Sequence, residues 1–232
     1  MIRALIDTWR YDGYMPDGRS GFWNGEVQGG SNPDNVLADA YVKGLRGEIN
    51  WTAGYQAMLK NAEVLPINTF SYDDESASVK EGRGAVDDWL QAGYVSSRST
   101  RCISRTVEYS INDYTLSVIA EGEAPKDVAK YRNRSRGWQT LWNNDIVSGG
   151  FRGFLAPKTS NRTWNLTDYD VLQCGVSDCG FLGYTFQTVP WETIFALPID
   201  MKTVIEEMRG NAKFERRLDY IVSDIFDILG QK

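Results

Sequence analysis

The chain of 232 residues contains no histidine. That absence removes histidine-based triads, histidine general bases and His-ligated zinc from the chemistry available to it. Cysteine is scarce, and Cys102, Cys174 and Cys179 form no metal-binding spacing. Cys174 and Cys179 are near enough in sequence to bridge in an oxidising compartment, but a reduced loop pair would read the same way. No apolar run approaches the ~20 residues that cross a bilayer, so no membrane is expected as a partner. Positive charge is in deficit, 25 Lys and Arg against 31 Asp and Glu for a net −6. An acidic balance argues against nucleic acid as the main partner. No secretory leader opens the sequence, since Met1 runs directly into IRALIDTW, which reads as the interior of a helix. A chain that starts mid-helix reads as a piece of something larger.

Aromatic residues are plentiful, with 8 Trp, 12 Tyr and 9 Phe. The length suits one sizeable core, and no interdomain linker is evident. Four sequons, at Asn50, Asn133, Asn161 and Asn165, permit glycosylation if the protein is secreted.

The stretch Asn24–Gly44, NGEVQGGSNPDNVLADAYVKG, organises the rest. Gly29 and Gly30 supply backbone that can take a positive φ or approach a ligand closely. Asn32 reads as an N-cap, Pro33 as the first helical residue and Asp34 as a first-turn acid favoured by the helix dipole. Val36, Leu37, Ala40 and Tyr41 then repeat with helical spacing. A loop is thereby delivered onto the mouth of a helix, an arrangement shared by binding sites and by ordinary glycine-rich caps.

Helical periodicity recurs along the chain. Ile2, Leu5, Ile6 and Trp9 mark a first helix, Asn50 caps another, and Val86, Trp89 and Leu90 mark a short one ending at Gly93. Residues 68–84 are polar and loop-like. Ile103, Val107, Ile111, Tyr114 and Val118 give the clearest helix, from about Thr100 to Ala120. Pro125 opens the next, carrying Val128, Tyr131, Trp138, Leu141 and Trp142, with both indoles on an apolar, core-facing side. Gly149–Gly183 breaks the pattern with loops and a possible hairpin. Helices resume near Trp191, after Pro198, and from Ala212 to Leu229. A mainly α chain of sequential helix pairs joined by long loops suits an α/α toroid or solenoid, which gathers its site from loops at one end.

IDTWRYDGYMPDGRS, QGGSNPDNVLADAYVKG, SRTVEYSINDY, RNRSRGWQTLWN, GFRGFLAPK and PWETIFALPIDMKTVIEEMRG together resemble glycoside hydrolase family 92, the exo-acting α-mannosidases. The segments occur in the family's order over nearly the whole chain. The resemblance implies an (α/α)6 toroid, here incomplete, that normally follows a β-sandwich domain. It implies a typically calcium-dependent, inverting enzyme of the secretory or vacuolar pathway that trims terminal mannose from N-glycans and fungal mannans. Inversion needs one acid to protonate the leaving oxygen and a carboxylate on the opposite face to activate water, about 6.5–9.5 Å apart. Calcium, a hard ion with oxygen ligands, is thought in this family to grip the mannose hydroxyls.

Carried over residue by residue, Asp34 and Arg105 match positions expected to bind hydroxyls of the terminal mannose, with Gly30 and Ser31 beside Asp34. A carboxylate accepts and a guanidinium donates, which suits a vicinal diol. The plain alternatives are a helix-capping acid for Asp34 and a surface ion pair for Arg105. Trp191 and Glu192 are expected to line the sugar site, the indole stacking on a pyranose. The family's general-acid segment corresponds to Phe186–Gln187–Thr188–Val189–Pro190–Trp191, which puts Gln187 where a glutamate belongs. Pro198–Ile199–Asp200 replaces the family's Pro-His-Asp. The sequence ends before the segments expected to supply the calcium ligands and the general base, so no metal ligand and no base is assigned among these residues. Glutamine donates no proton to a leaving alkoxide, a loss of ~10²–10⁴-fold. Either the site is dead, a non-catalytic scaffold or mannose binder, or the leaving group needs no proton, as with a mannose-1-phosphate linkage.

Overall fold

The computed structural model describes residues 1–17, 19–20, 23–24, 29–67, 82–174 and 182–225. Most of the polar 68–84 stretch, Cys179 and the end of the last expected helix lie outside them.

Helix α1 (Ile2–Asp12) stops at Gly13, whose φ of 90° turns the chain left-handed and returns its N–H to Trp9. Strands β1 (Arg19–Ser20) and β2 (Trp23–Asn24) pair antiparallel. Helix α2 (Asn32–Val42) is capped by Ser31, not by Asn32, which is already its first residue. The shift places Pro33 second and Asp34 third, still within the first turn, where proline sacrifices no helical hydrogen bond. Helix α3 (Trp51–Glu63) follows Asn50, whose side chain accepts from the Ala53 N–H at 2.9 Å. Helix α4 (Val86–Ala92) ends at Gly93 with φ 79°.

Helix α5 (Cys102–Glu123) is the axis of the fold, packing on α2, α3 and the helix that follows it, α6 (Val128–Arg134). Its first half, through Ile103, Val107 and Tyr109, belongs to a core with Trp89, Trp138 and Leu141. Its second half, through Leu116, Ile119 and Ala120, belongs to another with Ile6, Leu37 and Met58. Burying each such leucine or isoleucine contributes roughly 1.5–3 kcal/mol. The helices are therefore not simply packed in consecutive pairs, because α5 serves neighbours from both directions along the chain.

The helix expected to run from Pro125 through Trp142 is broken. It ends at Arg134, a 3-10 turn spans Gly137–Leu141, and Trp142 opens strand β3 (Trp142–Ser148). Both indoles are buried as expected, so the burial reading survives the change of element. Strand β3 pairs antiparallel with β4 (Phe151–Leu155). Gly149 and Gly150 join them with φ of 57° and 79°, the left-handed pair that a two-residue hairpin loop requires. Helices α7 (Pro190–Thr193), α8 (Met201–Glu207) and α9 (Asn211–Tyr220) complete the described chain, and Trp191, Val189 and Ile221 form a third core with Phe154. Asp200 lies just before α8, where its Oδ1 accepts from Thr203 Oγ1 at 2.6 Å and its Oδ2 from Gln139 Nε2 at 2.9 Å. The chain is mainly α, as expected.

Candidate functional site

Among the described residues the two cores that share α5 form separate apolar clusters. Between them lies a buried polar seam, built on Glu108, Asn112 and Asp113 and closed by the 29–31 loop. Asn112 Oδ1 accepts from the Ser31 N–H at 2.8 Å, and its Nδ2 donates to the Ser31 carbonyl at 3.0 Å. Glu108 Oε2 accepts from the Gly30 N–H in a short contact. These bonds bring the loop so near α5 that a Cβ on Gly29 would fall 2.1 Å from Glu108 Oε1, and one on Gly30 would fall 2.6 Å from Glu108 Cβ. Neither glycine takes a positive φ. The glycines serve close approach, and what they approach is α5.

Asp34 lies under this loop with no exposed surface. Its Oδ1 accepts from Asn61 Nδ2 at 2.9 Å and its Oδ2 from Arg83 Nη2 at 3.2 Å. Asn61 Nδ2 also reaches Ser31 Oγ at 2.8 Å. Arg83 is nearer to Asp113, 2.7 Å from Nη1 to Oδ1. Asp113 also takes Trp89 Nε1 at 2.8 Å and a bidentate pair of bonds from Arg134. Arg134 Nη1 continues to Glu63 at 2.9 Å.

The unequal sharing of cations sets the protonation pattern. Burial pushes the Asp34 carboxyl from 3.8 up to about 6, against the pull of Arg83. Burial acts on Asp113 as well, but Arg83 and Arg134 together overcome it and hold that carboxyl below its ordinary value. Glu108 is raised by burial, opposed by the Gly30 N–H, by Arg105 and by Arg101. Asp17, which accepts from the Asn32 N–H at 2.7 Å, is likewise raised by burial to about 6. Asp17 and Glu108 repel each other, which adds to the rise of Glu108. Three carboxyls near the loop, Asp17, Asp34 and Glu108, therefore take up protons more readily than free acids, while Asp113 holds its charge.

The sequence-assigned residues divide. Gly30, Ser31 and Asp34 come together in the seam. Arg105 is buried one turn before Glu108 on α5 and acts on it electrostatically. The 183–188 segment carrying Gln187 is fixed to the same end of α5. The Arg101 and Ile103 N–H groups donate to the Gly183 and Tyr184 carbonyls, and the Phe186 N–H to Ser104 Oγ at 3.0 Å. Gln187 itself is exposed, with φ at 52°. Trp191 has no exposed surface, its ring meeting Phe151 and Phe154 edge-on and Tyr220 at a tilt. It is placed as a core residue, with no face open to a pyranose. Glu192 Oε2 accepts from the Val189 N–H at 3.0 Å and from Thr188 Oγ1 at 2.9 Å, so it caps α7.

Arg83, Glu108, Asn112, Asp113 and Arg134 complete the seam beyond the residues that the sequence motifs point to. A signal for two of them, Glu108 and Asn112, is present in the sequence. Arg101, Arg105, Glu108 and Asn112 recur at steps of three and four on a helix whose other faces are apolar, and a polar stripe on a helix buried all round must have partners. Arg83 had no such signal, since it stands between two glycines outside any periodic segment.

Cys174 is disulfide-bonded and Cys102 is free and buried. Among the described residues no group of three or more His, Cys, Asp or Glu is placed to hold a metal ion. No step is therefore derived through calcium. No described helix is long and apolar enough to cross a membrane.

Residues 1–228 match the model of the glycosyl hydrolase family 92 catalytic domain. A protein of Arthroderma benhamiae described as an uncharacterized secreted glycosidase is 37% identical over 236 residues, covering 94% of this chain and 29% of that protein. A family GH92 α-mannosidase of Bacteroides thetaiotaomicron superposes with a TM-score of 0.70 at 19% identity, over 96% of this chain and 26% of its own. The same enzyme in complex with mannoimidazole gives 0.70 at 20% identity, over 95% of this chain and 26% of its own. These structural likenesses establish a shared fold. The chain spans between a quarter and a third of the length of each relative.

Proposed function

This chain belongs to glycosyl hydrolase family 92, and from that premise we propose that it is part of an α-mannosidase-type toroid acting on terminal mannose, with a preference for mannosyl-phosphate linkages. The relative solved with mannoimidazole supports a mannose-like ligand. The secreted description of the Arthroderma relative supports a secretory route for the protein, where N-glycans or fungal mannan would be the mannose source. In this reading the neighbouring parts of the toroid and a β-sandwich domain belong to the longer protein, which also supplies the calcium site and the general base.

The single observation that carries the preference is Gln187. It is exposed at the end of α5 that bears Arg101 and Arg105, in the segment where the family places its general acid. Water attacks the anomeric carbon, the C1–O bond breaks, and its electron pair leaves on the phosphate oxygen. The water's proton passes to a base to which no residue here is assigned. A phosphate oxygen departs as a stable anion, so the missing proton donor costs nothing on that substrate and ~10²–10⁴-fold on a sugar alkoxide. The test is turnover by the longest gene product containing these residues, on α-mannosyl phosphate and on α-1,2-mannobiose. Faster cleavage of the phosphate supports the proposal, and faster cleavage of the disaccharide rejects it.

A second reading, a non-catalytic member that holds mannose or only forms a scaffold, is favoured by the complete burial of Asp34. Calorimetry with mannose, with and without calcium, beside turnover of an activated aryl mannoside, separates the two. Binding without turnover selects the second reading.

A further inference from the structure

A second concentration of charge lies away from the seam, where α9 packs against the β3–β4 hairpin. A cavity of about 260 Å³ there is lined by Gly150, Arg152, Arg209, Lys213, Arg216 and Arg217, among others. At about 30 Å³ per liquid water, this holds a tetrahedral oxyanion with part of its hydration shell. Five cationic side chains around one cavity are conspicuous in a chain of net charge −6.

Arg217 is the informative member. It is 2% exposed, and its Nη1 and Nη2 donate to the carbonyls of Gly153 and Arg152 at 3.0 and 3.1 Å. Its guanidinium lies 4.5 Å from the Phe154 ring and 5.2 Å from that of Trp191. No acid pairs with it among the described residues, and burial alone lowers its proton affinity, to about 10. A buried cation is ordinarily matched by a carboxylate, because desolvating an unpaired charge costs several kcal/mol. Carbonyls and ring faces offset part of that cost, and among the described residues two of the five N–H donors have a carbonyl acceptor. Among the described residues the one acid paired with the cluster is Asp145, 3.9 Å from Arg152 and 97% exposed, which supplies little compensation.

We propose that this cavity binds a phosphate-type oxyanion, with Arg217 as the buried anchor and Arg209, Lys213 and Arg216 as the rim. A guanidinium matches two phosphate oxygens at once, and the rim cations raise the local anion concentration against the molecule's overall charge. The site is independent of the mannose reading, since none of its residues belongs to the seam. The anion is either free phosphate or a phosphomonoester on a larger molecule.

Calorimetry on the full chain tests this with inorganic phosphate and with methyl phosphate, ionic strength being held constant with sodium chloride. One saturable site is expected, weakened at least ten-fold in the Lys213→Ala/Arg216→Ala double variant, whose two side chains are exposed and whose circular dichroism should be unchanged. Tighter binding of methyl phosphate identifies a phosphomonoester as the ligand, and equal binding identifies the free ion. No heat beyond the chloride control, or undiminished affinity in the double variant, overturns the proposal.

Discussion

Asp34 and Asp113 are both fully buried and both touch Arg83, yet they titrate in opposite senses because Arg134 adds a second cation to Asp113 alone. A raised carboxyl means that the folded state takes up its proton before the unfolded state does. Stability attributable to Asp34 therefore rises as pH falls from 7 through about 6 towards 3.8. Asp34→Asn cannot titrate. Wild type should gain on this variant between pH 7 and pH 4 by up to roughly 3 kcal/mol, at ~1.4 kcal/mol per pKa unit. Urea unfolding at both pH values measures the difference, and a pH-independent gap would contradict the assignment. Gly30→Ala presents a different conflict, a methyl group 2.6 Å from Glu108 Cβ and 2.7 Å from Asn112 Oδ1. Relieving it requires the loop to lift from α5, so a loss of about 1–3 kcal/mol is expected in thermal unfolding.

At the scale of elements, α1, α3 and α4 are legible in the sequence because each carries an apolar stripe with a cap or a glycine stop, and α5 by its long apolar stripe alone. Periodicity overruns α6 because Trp138, Leu141 and Trp142 keep helical spacing while the chain changes to a 3-10 turn and then a strand. Apolar spacing records which residues are buried and not the backbone path between them. The α2 cap falls one residue before the expected position, since Ser31 and Asn32 are both good caps by type and Asn112, 81 residues away, holds the Ser31 backbone. An indole serves stacking and core packing equally, and the neighbours that bury Trp191, which are Phe151, Phe154 and Tyr220, are distant in sequence. Gln187 adds a constraint invisible in the sequence. Its positive φ is one that non-glycine residues adopt at a cost. Gln187→Gly should therefore stabilise the 183–188 segment by up to about 1 kcal/mol in thermal unfolding, and a destabilised variant would show that the side chain itself secures the turn.

Across the whole molecule, α5 joins two apolar clusters through a charged seam, and Arg83 is the cation that bridges the acid of α2 to the acid of α5. Removing it leaves two buried carboxylates facing each other. Arg83→Ala should cost about 3–5 kcal/mol and lower the urea m-value, as the clusters on either side begin to unfold separately. An unchanged m-value with a small loss would mean that the seam does not couple them.

The direct test of the functional reading is restoration of the proton donor. In the longest product containing these residues, Gln187→Glu should raise turnover of α-1,2-mannobiose by ~10²–10⁴-fold and leave α-mannosyl phosphate cleavage little changed. If the glutamate variant gains nothing on mannobiose, or the wild-type protein already cleaves mannobiose faster than the phosphate, position 187 is not where the leaving oxygen is protonated.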